Sequence, residues 1–279
     1  MEITISKNDF EAALPVGVSA HDEVYESVEH AFGDEISIVK DSLLGEGGMR
    51  KLEADGEDST LMNFLRKYIC VSAFLSVLRQ LDLVLTPTGF GVVSNDNVAP
   101  ASKQRVDALE AQLYTQRIKL KANVLNLLRS EEWGATEQAK KAIPCLYDAY
   151  TFFFETHEHA AYADWYAYRA TIEGADELLR ETMSDAQMDD ILDAFRRADT
   201  ERMDGYRQLI SLIIRFTDSY DLLGNEVVGK PVGRRIMRLL DDDANKETFA
   251  LYRASEEYKA YHDEPFRNDK EASCYVFNG

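Results

Sequence analysis

Two glycines and a lysine in Gly224-Asn225-Glu226-Val227-Val228-Gly229-Lys230-Pro231 stand at the spacing of a phosphate-binding loop. In such loops backbone N–H groups cradle phosphate, the lysine reaches the terminal phosphates, and a following Ser or Thr holds magnesium. Pro231 occupies that last position and has no hydroxyl, so the metal contact cannot form. The preceding Leu209 to Tyr220 has a helical period, whereas the loop belongs after a buried strand. The sequence therefore predicts no nucleotide site. It predicts a turn followed by a helix starting at Pro231, with Arg234, Arg235 and Arg238 on the exposed face.

Imidazole and carboxylate side chains in Glu155-Thr156-His157-Glu158-His159 are the right chemistry for a metal. Their spacing is not. Residues two apart on a helix point to nearly opposite sides, and helical zinc pairs sit three or four apart. A surface turn rich in histidine is the expectation, with no metal and no cofactor. His21, His30 and His262 fall in acidic segments and suggest nothing further.

The three cysteines do not cluster. Cys70 lies in an apolar helix and should pack as a small hydrophobe, and Cys274 lies near the carboxy end. Cys145 follows Pro144 at an expected helix start, where a helix amino terminus would lower a thiol pKa. It is the one thiol with a case for reactivity, but no histidine stands beside it, and no catalytic residue is assigned. Aromatic residues crowd Tyr147 to Tyr168, including Phe152, Phe153, Phe154, Trp165 and Tyr166. From Tyr147 to Trp165 there is no Lys or Arg. Stacking on nucleic acid needs interleaved cations, so packing or a protein interface is the better reading.

The elements that would position these residues are mostly helical. A segment capped by Ser59 and Thr60 runs through Leu61, Phe64, Leu65, Tyr68, Val71, Phe74, Leu75 and Leu78. Apolar residues cover most of its circumference, which predicts a central helix packed on several sides. A second long helix should begin near Pro100 and continue past Leu128. Met183-Ser184-Asp185-Ala186-Gln187-Met188 reads as a helix start, with Ser184 capping, Gln187 reaching back to it, and Met183 packing on Met188. Met188, Ile191, Leu192 and Phe195 then form a single apolar face. Further helices are predicted from Thr200 to about Ser219 and from Asn245 to about Tyr261. Leu81 to Leu85 and Phe90 to Ser94 flank Thr86-Pro87-Thr88-Gly89, which predicts a β-hairpin between the two long helices. Ser273 to Phe277 would make a short edge strand.

The 279 residues include 45 % hydrophobic and 29 % charged side chains, a globular composition, and no fixed-period repeat. The start Met-Glu-Ile-Thr-Ile-Ser shows neither the basic nor the apolar run of a targeting segment. The apolar run Tyr68 to Leu78 is shorter than the ~20 residues that span a bilayer. Thirty-one basic against fifty acidic residues give −19, which disfavours nucleic acid and anionic membranes as partners. Glu23, Glu26, Glu29, Asp34 and Glu35 make the amino-terminal region strongly acidic. Lys103, Arg105, Arg117, Lys119 and Lys121 make the helix after the hairpin basic, either solvated and paired with the chain's own carboxylates or docking an acidic neighbour.

The run Leu83-Val84-Leu85-Thr86-Pro87-Thr88-Gly89-Phe90-Gly91-Val92-Val93-Ser94-Asn95-Asp96-Asn97-Val98-Ala99-Pro100-Ala101-Ser102-Lys103-Gln104-Arg105-Val106 resembles the signature of an uncharacterised family found in Bacteroides and related prophages. Genes of that family lie among virion structural genes, in the company of head–tail connector and neck components. The resemblance implies a helical bundle that forms a homo-oligomer and docks on portal or neck proteins, first in the host cytoplasm and then in the virion. This chain is longer than the simplest connectors, and a second helical subdomain must account for the excess.

The sequence thus predicts a mainly α multi-helix bundle with one β-hairpin. Residues 1–130 would carry the acidic region, central helix, hairpin and basic helix, and residues 131–279 an aromatic-rich helical subdomain. The expected function is non-enzymatic virion assembly, with Phe90, Val92, Val93, Lys103, Arg105, Arg117, Lys119 and Lys121 as the assembly surface. Two alternatives stand beside it: a helical enzyme or small-molecule binder with a dispersed site, and a host-side helical interaction protein.

Overall fold

The computed structural model describes residues 2–14, 22–81, 83–86, 89–92, 102–220 and 226–262, and the fold is a helical bundle. Val93, Pro100 and the predicted strand Ser273 to Phe277 lie outside the described residues.

Helix α1 (Lys7–Ala13) opens on a reciprocal cap in which Ser6 and Asp9 each accept the other's backbone N–H. Helix α2 (Asp22–Val39) continues through a wide π turn, Lys40–Leu44, into α3 (Gly45–Asp55). Helix α4 (Thr60–Val77) is the predicted central helix, with Ser59 Oγ accepting the Met62 N–H at 3.2 Å. Leu61, Met62, Leu65, Ile69, Val71, Phe74 and Val77 are all buried, and α4 packs against α1, α2 and a long helix α5 (Lys103–Leu128). By length and composition Thr60–Gln80 would suffice to cross a membrane, yet 67 % of its most apolar window is buried inside the fold, as in a core helix. Helix α5 begins at Lys103 with Ser102 in the N-cap position, three residues later than Pro100 suggested.

Between α4 and α5 the backbone of β1 (Leu83–Thr86) runs antiparallel to β2 (Gly89–Val92), with Leu83 opposite Val92 and Leu85 opposite Phe90. Among the described residues these strands pair with each other and with no third strand.

The polar stretch Ser130 to Ala135 does not separate two cores. It forms α6 (Glu131–Gly134), followed by α7 (Glu137–Ala142). Trp133 is fully buried and its indole N–H donates to the Leu43 carbonyl in the π turn at 2.8 Å. The first apolar core runs from Ile3 to Ile143, and a second begins at Leu146. The two cores are stitched together where α6 meets α9 (Asp185–Arg197). There Gly134 lies so close to α9 that a Cβ would sit 2.5 Å from the Arg196 carbonyl carbon and the Arg197 nitrogen. The Arg129 guanidinium stacks 3.7 Å over the Phe195 ring and donates to the Phe195 carbonyl at 2.7 Å.

Beyond a second π turn, Thr151–Thr156, come α8 (Tyr162–Met183), α9, α10 (Thr200–Asp218) and α11 (Glu226–Asp241). Met188, Ile191 and Leu192 are buried as their spacing required. Ser184 Oγ does accept the Gln187 N–H, but the Gln187 side chain does not return to the cap. It is fully buried, and its Oε1 accepts the Tyr252 N–H at 3.1 Å, joining α9 to α12 (Ala250–Arg253). Two boundaries differ from expectation. Helix α11 starts at Glu226, so Pro231 sits inside it, where its missing N–H leaves the Val227 carbonyl without its usual donor. The single helix predicted from Asn245 to Tyr261 is a 3-10 turn at Asp243–Asn245, then α12, then α13 (Glu256–His262), broken at Ala254 and Ser255.

Candidate functional site

The basic face predicted on α5 divides in two. Lys103 and Arg105 lie exposed in its first turn. The other three cations turn into the fold. Arg117 donates to Ser72 Oγ at 2.8 Å and lies 5.7 Å from the centre of the Tyr68 ring. Burial raises the Glu35 carboxyl above its usual value, and the charge of Arg117 offsets part of that rise. The charge of the basic helix thus acts on the acidic amino-terminal region of the same chain through Arg117 and Glu35, which make no ion pair with each other among the described residues. Lys119 Nζ donates to the Glu158 carbonyl at 3.2 Å and lies 5.4 Å from the centre of the Phe153 ring. Asp107 and Glu110, the acids on this helix, pair with Arg79 at the end of the preceding helical segment. Little of α5 beyond its first two turns is left as a free cationic surface.

Lys121 leads to a different feature. It lines a cleft of about 580 Å³ between α5, α8 and the segment 141–150. Ile118, Ala122, Leu125 and Ile172 form its apolar floor, and Tyr150, Tyr162, Trp165 and Tyr166 its aromatic rim. Burial pushes the Lys121 amine below the usual lysine value, and the neighbouring Arg117 adds to the shift. Cys145 also lines the cleft, but it sits in a bend rather than at a helix amino terminus. Burial, reinforced by Asp176, raises its thiol to about 12, so the expected reactivity is absent at neutral pH.

Asp148, at the same cleft, is held by the Thr151 N–H at 2.9 Å. Burial raises its carboxyl pKa despite the hydrogen bond and the attraction of Arg129. The native state thus binds this proton more tightly than the unfolded chain. Stability contributed here is present below the ordinary aspartate value and is lost as pH rises from there through the raised one. We expect the melting temperature of the wild type, relative to that of Asp148→Asn, to fall as pH is raised from about 4 to about 7. A difference that stays flat across that range would show that the carboxyl titrates normally.

His157 follows the second π turn, stacked on Phe152 with centroids 4.6 Å apart. Its Nδ1 lies 2.9 Å from Thr156 Oγ1 and 3.7 Å from Asp218, while the Tyr147 hydroxyl bridges Thr156 and Asp218 at 2.5 and 3.1 Å. His159 is exposed in the turn beyond. No group of three or more His, Cys, Asp or Glu is arranged to hold a metal among the described residues. The aromatic stretch supplies a packed cluster, with Tyr147, Phe152 and Phe153 buried and Phe154 and Tyr166 exposed. The cleft was illegible in sequence because its lining comes from three separate segments. The dense aromatics were its one visible signal.

Residues 21–143 match a family of unknown function, DUF6712. That match ends at the last residue of the first core. No curated protein and no solved structure matches the chain.

Proposed function

We propose that the protein is a non-enzymatic assembly subunit of a virion, an adaptor at the head–tail neck of a prophage. The observation that supports this is the two-stranded ribbon at the junction of the central helix and α5, which has two unpaired edges among the described residues. Two strands alone are marginal in water, and an open edge invites pairing with another chain. The register places Leu83, Leu85, Phe90 and Val92 at positions of one ribbon face, with Val84, Thr86, Gly89 and Gly91 at those of the other. Apolar residue types at these register positions, with exposed Lys103 and Arg105 opening the helix that follows in sequence, suit a groove or sheet edge on a portal or neck protein. The resemblance of Leu83 to Val106 to the prophage family supplies the biological setting.

The test is Phe90→Ser combined with Val92→Ser, with thermal stability measured beside co-purification with co-expressed neck proteins. We expect the melting temperature to hold and co-purification to be lost. A double variant that unfolds, or that co-purifies as the wild type does, would remove the hairpin as the assembly surface.

A further inference from the structure

The arginines near the glycine-lysine motif have a role that neither the motif nor the hairpin uses. Arg207 and Arg215 on α10 and Arg235 and Arg238 on α11 line one open groove of about 720 Å³, with Leu212 and Leu239 between them. All four guanidiniums are exposed. Arg207 pairs with Asp204, whereas Arg215, Arg235 and Arg238 have no ion pair among the described residues. In a chain of net charge −19, three uncompensated arginines in one groove constitute a concentrated positive site. Arginine is also the cation best suited to forked binding of carboxylates.

The complementary surface is on the same chain. Helix α2 exposes Glu26, Glu29 and Asp34, none with an ion pair among the described residues, and Ile38 beyond them is 54 % exposed. Gly33 lies between these acids, and a Cβ there would meet nothing within 4 Å, so the ridge is low. Glu26 and Asp34 are eight residues apart, as are Arg207 and Arg215, a span of about 12 Å on each helix. The acidic helix belongs to the first core and the arginine groove to the second.

We infer that the α10–α11 groove receives the acidic face of α2 from a second copy of this chain. Carboxylates of α2 meet guanidiniums along the matched span. A nucleic acid is the weaker occupant, because the groove offers no aromatic ring to stack on a base and the rest of the molecule repels phosphate. The contact is separate from the hairpin and is tested without it.

The experiment is sedimentation of the full chain at about 0.05 M and about 0.5 M salt, conditions that differ strongly in screening. Self-association is expected at low salt and should weaken at least tenfold at high salt. Arg235→Glu with Arg238→Glu should abolish it, as should Glu26→Arg with Glu29→Arg. Each altered pair then faces like charge, and mixing the two variants should restore association. Arg235→Gln with Arg238→Gln supplies a milder loss, and circular dichroism confirms that each variant is folded. A wild type that remains monomeric at both salts overturns the inference, as does a charge-reversed groove that still self-associates or a mixture that does not recover. A labelled DNA duplex is run alongside: a monomeric wild type that binds it through Arg235 and Arg238 would give the groove to nucleic acid instead.

Discussion

Trp133→Ala should destabilise the protein by about 4 kcal/mol, lowering the melting temperature by roughly 8 to 16 °C. The indole is fully buried in the first core, and its N–H satisfies the Leu43 carbonyl. Alanine would leave both a cavity and an unpaired acceptor at the π turn. Trp133→Phe separates the two causes, since it keeps most of the volume and removes only the donor. We expect it to fall between wild type and alanine in urea titration. A loss below about 1 kcal/mol for alanine would mean that the ring is not the anchor described here.

The second large effect is expected one residue later. Gly134→Ala adds a Cβ 2.5 Å from main-chain atoms of Arg196 and Arg197, which cannot swing aside as a side chain would. Alanine is the better helix former by about 1 kcal/mol, but overpacking against backbone costs about 3 kcal/mol and decides the sign. A net loss of about 2 kcal/mol should appear as a melting temperature roughly 4 to 8 °C lower. Gly33→Ala is the contrast: it is also helical, but it has open space around it, and it should gain up to about 1 kcal/mol. Equal responses at the two glycines would refute the close approach of α6 and α9.

Much of this architecture was legible where a local pattern decides the outcome. The Ser59 cap and the all-round apolar content of α4 require a central helix whatever surrounds it. The same holds for Ser184 and the face Met188, Ile191, Leu192 on α9. What escaped the sequence depends on partners far along the chain. Ser130 to Ala135 is polar in composition, yet Trp133 is drawn into a core by a carbonyl 90 residues away. Gln187 had a local partner in Ser184, but a buried N–H at Tyr252 claimed its side chain. Pro231 looked like a first-turn proline and lies within α11. The candidate surfaces follow the same division. Arg117, Lys119 and Lys121 are evenly spaced on one helix, but whether such a cation meets solvent or Ser72, Phe153 and a cleft is a tertiary matter. The arginine groove needs two helices to exist, so the sequence showed only its α11 half.

The order in which this chain leaves the ribosome gives the stitch between the cores a temporal meaning. Every residue buried in the first core has been made by Ile143, so that half can condense while the rest is still being translated. Arg129 is different: its acceptor, the Phe195 carbonyl, is synthesised 66 residues later. At ~5 to 20 residues per second the Arg129 guanidinium waits roughly 3 to 13 s for that partner. Gly134 waits about as long for the α9 backbone. During that interval the nascent first half presents an incomplete face, which α9 closes when it arrives.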